Sequence, residues 1–233
     1  METNSHAEFG AKSLTTEFRK YAHAETLLIR KAFTLTFDER AEGVKVVLLS
    51  TCGTAVAIAE LSKHSDRFYA DAVVLARAFI ETVINFIYLQ ICDQSEYDKY
   101  KAHTVQKAYR KLDRKVVVGG IKIGIKFSGA SEFLNKPEVK AALDEFTSDR
   151  GREKTRWTDL SIKQLLEIIS SRASIDIRPL MLSTLDIYED ASETLHGTLY
   201  GATYRTWAYE PTIDRTNPYE VEAYTQKKVS LLF

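Results

Sequence analysis

The sequence is poor in the residues that break or cross-link a polypeptide chain. Its 233 residues include four prolines, ten glycines and two cysteines. With so few helix breakers, long segments can stay regular. Two cysteines exclude a disulfide framework or a four-cysteine zinc site, so Cys52 and Cys92, both in apolar surroundings, are expected to be buried reduced thiols.

Other absences exclude several classes of function. The 32 basic and 32 acidic residues cancel, so net charge points to no class of partner. The N-terminal segment METNSHAEFGAKS lacks the apolar stretch of a signal peptide, and a cytoplasmic location is therefore expected. The glycines do not have P-loop spacing, the five histidines form no His-Glu-x-x-His pair, and no Gly-x-Ser-x-Gly elbow occurs. We therefore expect no metal and no other cofactor.

What the chain does have is a long apolar run at residues 72–92, in which Arg77, Glu81 and Asn85 recur at every fourth position. A helix that is apolar nearly all round belongs in the centre of a fold, and its polar groups then form one stripe. Two charges near the middle would be costly in lipid. The run therefore predicts a central helix of a soluble protein rather than a membrane span, and no membrane partner is expected.

The apolar spacing elsewhere is mostly helical and predicts an all-α, multi-helix bundle forming a single domain over residues 1–233. On the first helix, Tyr21, Leu28 and Leu35 are expected to face inward. On the last core helix the expected inward residues are Leu180, Leu182, Leu185, Ile187, Ala191 and Leu195. The alternation at residues 116–128 instead predicts a short β-hairpin or a glycine-rich loop. A turn-rich aromatic segment follows from about residue 197. The expected helices span roughly 12–35, 39–61, 66–92, 94–115, 137–146, a segment from about 162, 177–196 and 218–231.

A second polar row, Tyr188, Ser192 and His196, lies on the last core helix with the same spacing of four. If helices 66–92 and 177–196 are neighbours, Arg77 or Glu81 should come within reach of His196. An arginine, a carboxylate and a histidine together suit phosphodiester cleavage without a metal. The candidate catalytic residues are Arg77, Glu81 and His196, and the supporting residues are Asn85, Tyr188 and Ser192. The alternative is a buried Arg–Glu–His network that fixes one core packing.

Basic residues are concentrated between positions 99 and 126, where nine of them accompany a single acidic residue, Asp113. Cations that neutralise phosphates, with aromatic rings that stack on unpaired bases, are typical of RNA-binding surfaces. Tyr97, Tyr100, Tyr109 and Phe127 could supply such rings. A solvated helix face or a site for an acidic protein is the alternative. The candidate nucleic-acid contacts are Lys107, Arg110, Lys111, Arg114, Lys115, Lys122 and Lys126.

The order of these elements resembles that of a widespread bacterial family of uncharacterised helical proteins. The resemblance is carried by Arg77, Glu81 and Asn85, then Trp157, Ser161 and Ile162, then Tyr188, Ser192, His196 and Gly197. The architecture is similar to that of the HEPN superfamily, which includes dimeric toxin and phage-defence ribonucleases. HEPN ribonucleases carry the arginine and histidine on one helix, whereas here Arg77 and His196 belong to different helices.

The resemblance implies a metal-independent ribonuclease, or an RNA-binding effector, of a bacterial toxin or phage-defence system. Its partners would be RNA, an antitoxin or defence-system protein, and a second copy of the chain. The alternative function is a non-catalytic helical sensor or protein-interaction module.

Overall fold

The structure is a computed structural model, and it describes residues 3–32, 34–35, 38–196, 213–214, 216–220 and 223–224. The elements in chain order are α1 (Thr3–Ala32), α2 (Glu39–Leu61), a 3-10 turn (Ser62–His64), α3 (Ser65–Ile91), α4 (Gln94–Leu112), β1 (Asp113–Val118), β2 (Ile121–Lys126), α5 (Ala130–Leu134), α6 (Pro137–Glu145), α7 (Ile162–Arg172) and α8 (Arg178–Leu195). The prediction of an all-α fold with a short hairpin is confirmed.

The chain forms two compact units, one of residues 1–91 with 162–233, the other of residues 92–161. The first, which we call the helical unit, contains α1, α2, α3, α7 and α8. The second, the inserted unit, contains α4, the hairpin, α5 and α6. The expectation of a single domain over residues 1–233 stays a prediction.

Helix starts are set by side chains that accept hydrogen bonds from the first turn. The Asp38 carboxylate accepts from the Ala41 amide at 2.9 Å at the start of α2, and Asp93 accepts from the Glu96 amide at 3.0 Å at the start of α4. These two caps lie just before long apolar or amphipathic segments, so the sequence and the observed boundaries agree.

Helix α3 is the centre of the helical unit, as its composition predicted. It packs against α2, α7 and α8. Ile84 and Leu89 are fully buried, and Ile80 is 5% exposed. Burial of these branched side chains is the main source of stability for this unit, at about 1.5–3 kcal/mol for each. The prediction that helix 66–92 lies against helix 177–196 is confirmed.

The predicted inward face of α1 is wrong, and that of α8 is right in part. Tyr21, Leu28 and Leu35 are 74%, 69% and 56% exposed, and Leu182 and Leu185 are 66% and 80% exposed. On α1 the buried positions are instead Ala22 and Ile29, whereas on α8 two of the predicted positions, Ile187 and Ala191, are buried. Helix α1 packs mainly against α2, so one narrow stripe of small and branched residues is enough to cover the contact.

The hairpin of the inserted unit is exposed on both of its faces. β1 and β2 pair in antiparallel register, with Val116 opposite Ile123 and Val118 opposite Ile121. Gly119 and Gly120 form the turn with φ of 56° and 80°, left-handed values that favour glycine and suit a twisted two-residue hairpin turn. All of β2 and all of β1 after Asp113 is exposed.

In the part of the chain that the structure describes, two helices are long and apolar enough to cross a membrane by length and composition. They are Glu39–Leu61 and Phe68–Ile91, each with a mean hydropathy of 1.7 in its most apolar window and 39% of that window buried. Helix α2 therefore equals α3 in mean hydropathy over its most apolar window, although the sequence analysis considered only the 72–92 run as a possible membrane span. Core helices of soluble proteins have the same composition, and the cytoplasmic location stays a prediction.

Both cysteines are free and buried, as expected. The expected helix near 218–231 is described at 218–220 and 223–224, where it is helical. The aromatic segment from about 197 is described at 213–214 and 216–217, and its other residues lie outside the described residues.

Candidate functional site

Arg77 on α3 joins three groups into one partly buried cluster. Its Nε donates to the Glu81 carboxylate at 2.9 Å, and its Nη2 donates to the Tyr188 hydroxyl on α8 at 3.2 Å. The guanidinium also lies over the tyrosine ring, 4.2 Å from the centroid. The Arg77 side chain is 17% exposed and that of Glu81 is 35% exposed. We call Arg77, Glu81 and Tyr188 the arginine cluster.

The protonation of the arginine cluster follows from its burial and its neighbours. Burial, and then the nearby Glu81 carboxylate, raise the pKa of the Tyr188 phenol, while Arg77 opposes them. Burial acts to lower the pKa of Arg77, but Glu81 and Tyr188 outweigh it and the pKa is raised. The cluster therefore holds a charged arginine, a neutral phenol and a carboxylate that already accepts hydrogen bonds. One guanidinium nitrogen, Nη1, is buried without a hydrogen-bond partner among the described residues.

His196 does not join the arginine cluster, contrary to the sequence expectation. It is exposed at the C-terminal end of α8, and its imidazole makes no hydrogen bond or ion pair within the described part of the chain. Four residues advance a helix by about 400°, so each step of four turns the side chain about 40° further round. From Tyr188 to His196 the row rotates by about 80° and rises about 12 Å, which carries the imidazole from the α3 contact to the solvent side.

The supporting residues divide in the same way. Asn85 donates from its side-chain nitrogen to the Glu81 carbonyl at 2.9 Å, so it binds its own helix rather than α8. The Ser192 carbonyl accepts the helix-ending hydrogen bond from the His196 amide at 3.0 Å. The structure thus brings together Arg77, Glu81 and Tyr188, and it leaves Asn85, Ser192 and His196 outside that contact.

The candidate nucleic-acid contacts lie in the inserted unit, and five of the seven are exposed. The antiparallel register places Lys115, Lys122 and Lys126 on one face of the hairpin, which we call the basic face. Arg114 lies on the opposite, apolar face, and Lys111 is in the last turn of α4. Lys115 has one acidic neighbour, the Asp113 carboxylate at 3.4 Å.

The other two cations are held by a residue that the sequence analysis missed. Glu153 accepts a hydrogen bond from Lys107 and lies 3.6 Å from Arg110 Nε. Arg110 also donates to the Thr147 hydroxyl at 3.1 Å, and Thr147 pairs with Glu153 in an isolated bridge. These contacts fix the 147–153 loop to α4. Glu153 is 46 residues from Lys107 along the chain, so no helical spacing could reveal the pair.

Gln106 is fully buried beside this loop. Its amide lies close enough to Glu153 to contribute to the lowered pKa of that carboxyl, yet neither amide atom makes a hydrogen bond of normal geometry. The contact is therefore best taken as an electrostatic one. Burying an amide without such hydrogen bonds costs about 1–3 kcal/mol of desolvation free energy.

The aromatic residues of the basic segment are mostly structural. Tyr97 is buried, and Tyr100 packs edge-on against Trp157 with ring centroids 5.5 Å apart. Phe127 at the end of the hairpin is 55% exposed. Among the four aromatic residues of this segment, Phe127 is the one that offers most of its ring to a partner.

The sequence from the second turn of α2 to beyond α8 matches a known family model. Residues 44–209 match DUF5677, a family of unknown function. The chain belongs to this family. The matched range contains both the arginine cluster and the basic face, whereas α1 lies outside it. No curated protein and no solved structure matches this DUF5677 protein.

The inserted unit of this DUF5677 protein should lose stability as the pH falls below neutral. Burial, and then the nearby Lys107 charge, lower the pKa of His103 below its ordinary value of 6.5, although the Thr155 carbonyl, 3.2 Å from Nε2, acts against them. The unfolded chain then binds a proton more readily than the folded one, so stability decreases as the pH falls through about 6.5. Burial acts to raise the pKa of Glu153, but the hydrogen bond from Lys107 and the nearby Lys107 and Arg110 charges outweigh it and the pKa is lowered, so its contribution to stability is present above 4.5 and lost on further acidification.

The measurement is chemical unfolding of the full chain at several pH values between about 5 and 8, the range in which histidine titrates. His103→Gln keeps a polar side chain without titrating, and it should flatten the pH dependence across the window around 6.5. An unchanged pH profile in this variant would show that another group controls the transition.

Proposed function

We propose that this protein is an RNA-binding effector whose binding surface is the basic face of the hairpin with the adjoining end of α4. The observation that carries the proposal is the exposure of five cations within residues 111–126, where Asp113 is the one acidic residue. Phosphates would lie along the lysines of the basic face, and an unpaired base turned over the edge of the hairpin would stack on Phe127, which alternation along the strand places on the face opposite to Lys126. Single-stranded RNA is therefore the preferred ligand.

The test is the affinity for labelled RNA, measured by fluorescence anisotropy at increasing salt. Each phosphate contact releases counterions and adds about −0.7 to the slope of log K against log salt for a single strand. Lys111, Lys115, Lys122 and Lys126 supply four contacts, because Arg114 lies on the opposite face, and four contacts predict a slope of about −2.8. Salt-independent binding, or equal affinity for an acidic protein, would count against the proposal.

For the arginine cluster, the contacts support the non-catalytic alternative. Arg77 and Glu81 are engaged with each other and with Tyr188, and His196 lies two turns further along α8. Such a cluster fixes how α3 packs on α8. The toxin or defence role, an antitoxin or defence partner, and the HEPN-like ribonuclease activity stay proposals based on the resemblance alone.

Purified protein should therefore bind RNA without cleaving it in the presence of a chelator. The measurement is gel analysis of labelled RNA incubated with the wild type, Arg77→Ala and His196→Ala. Chelator-resistant cleavage by the wild type that disappears in folded His196→Ala protein would contradict this expectation and support a ribonuclease. Growth assays of the same three proteins would then test toxicity.

A further inference from the structure

The outward face of α1 carries large apolar side chains that nothing in the described structure covers. Tyr21 and Leu28 are 74% and 69% exposed, while Ala22 and Ile29, each about 100° further round the helix, are buried against α2. Tyr21 and Leu28 are seven residues apart, and the exposed Ala24 lies between them on the same face. Apolar residues at a spacing of seven are typical of helices that pair with another helix.

The charges on this face specify the direction of pairing. Glu17 lies seven residues before Ala24 and Lys31 seven residues after it, each about 10.5 Å along the helix axis. Two antiparallel copies with a two-fold axis at Ala24 therefore place Glu17 of each copy level with Lys31 of the other. In a parallel pair, Glu17 would face Glu17 and Lys31 would face Lys31, which is unfavourable.

The antiparallel arrangement also brings apolar side chains of the two copies into contact. Tyr21 lies about 4.5 Å before Ala24 and Leu28 about 6 Å after it, so in the antiparallel pair Tyr21 of one copy packs beside Leu28 of the other. The small Ala24 side chain on the axis lets the two backbones approach closely. Glu17 already binds Lys20 within its own helix at 2.7 Å, and Lys31 of the second copy would extend this pair into a network.

We propose that two copies of this chain pair through the outward face of α1, antiparallel, with the two-fold axis at Ala24. The contact is isologous, so it closes as a dimer. The proposal is independent of RNA binding, because α1 belongs to the helical unit and the basic face to the inserted unit.

The first experiment is the mass in solution, measured by light scattering over a wide range of concentration. The wild type should have twice the 26.5 kDa mass of the chain. Leu28→Asp would bury a charge in the contact and should weaken the dimer at least about tenfold. The matched control is Leu185→Asp, a leucine on α8 that is also largely exposed, and this variant should leave the dimer intact. A monomeric wild type, or a dimer that Leu28→Asp does not weaken, would overturn the proposal.

The second experiment tests the register by disulfide formation under mild oxidation. Ala24→Cys should cross-link with itself, and a mixture of Tyr21→Cys and Leu28→Cys should form a mixed dimer. Tyr21→Cys alone should not cross-link, because its two copies would be about 9 Å apart along the axis. The wild type is the control, since Cys52 and Cys92 are buried. Self-cross-linking of Tyr21→Cys would indicate a parallel pair and sink the antiparallel arrangement.

Discussion

Replacing Arg77 by alanine is expected to lower the free energy of unfolding by about 2–3 kcal/mol. The substitution removes two hydrogen bonds and the contact with the Tyr188 ring, and it leaves the Glu81 carboxylate without its cation. The loss of free energy would be larger if the Glu81 carboxylate were fully buried. Its side chain is 35% exposed, so water partly replaces the arginine in the variant. Denaturant unfolding followed by circular dichroism measures the change.

Two matched variants test which residues contribute to the stability of the arginine cluster. Tyr188→Phe keeps the ring and removes the hydroxyl, so it should cost about 1 kcal/mol. His196→Ala should change stability by less than about 0.5 kcal/mol, because the imidazole is exposed and outside the cluster. A cost for His196→Ala as large as that for Arg77→Ala would mean that the histidine belongs to the cluster after all.

Replacing Lys115, Lys122 and Lys126 by glutamine is expected to weaken binding to single-stranded RNA by about a hundredfold at roughly 0.1 M salt. The three lysines form the basic face, and each lost phosphate contact reduces the salt slope by about 0.7. Binding should therefore become both weaker and less sensitive to salt. Fluorescence anisotropy over a salt series measures both effects with one labelled RNA.

The control for this triple variant removes the same charge elsewhere. Lys63, Lys140 and Lys163 are exposed outside the hairpin, and changing all three to glutamine gives the same net charge. This control should keep nearly all of the RNA affinity. If the two triple variants lost RNA affinity equally, the overall charge of the protein rather than the basic face would be what attracts the RNA.

The central helix could be predicted because its signal is local. Twenty-one mostly apolar residues in one run require burial on nearly all sides, whatever their neighbours are, and the structure places α3 between α2, α7 and α8. The hairpin was predictable for the same reason, since alternation and the Gly119–Gly120 turn need no distant partner. Arg77 with Glu81 followed from a spacing of four.

The rest depends on contacts between distant parts of the chain. The row from Tyr188 to His196 looks continuous in sequence, but its residues turn progressively round α8. Which of them meets Arg77 depends on how α8 is rotated about its axis, and the packing of α8 on α3 sets that rotation. Glu153 could not be paired with Lys107 and Arg110 because a loop carries it there. On α1, the larger apolar residues were predicted to be buried, whereas Ala22 and Ile29 are the residues that are buried against α2.

The exposed hairpin has a further consequence for how the chain avoids aggregation. Its strands pair across a two-residue turn, so it can form within microseconds, long before distant helices pack. It would then offer two free strand edges rich in valine and isoleucine to other newly made chains. Lys122 and Lys126 interrupt the apolar series of β2 and make like hairpins repel one another. The two lysines therefore reduce association between newly made chains, whatever they bind in the folded protein.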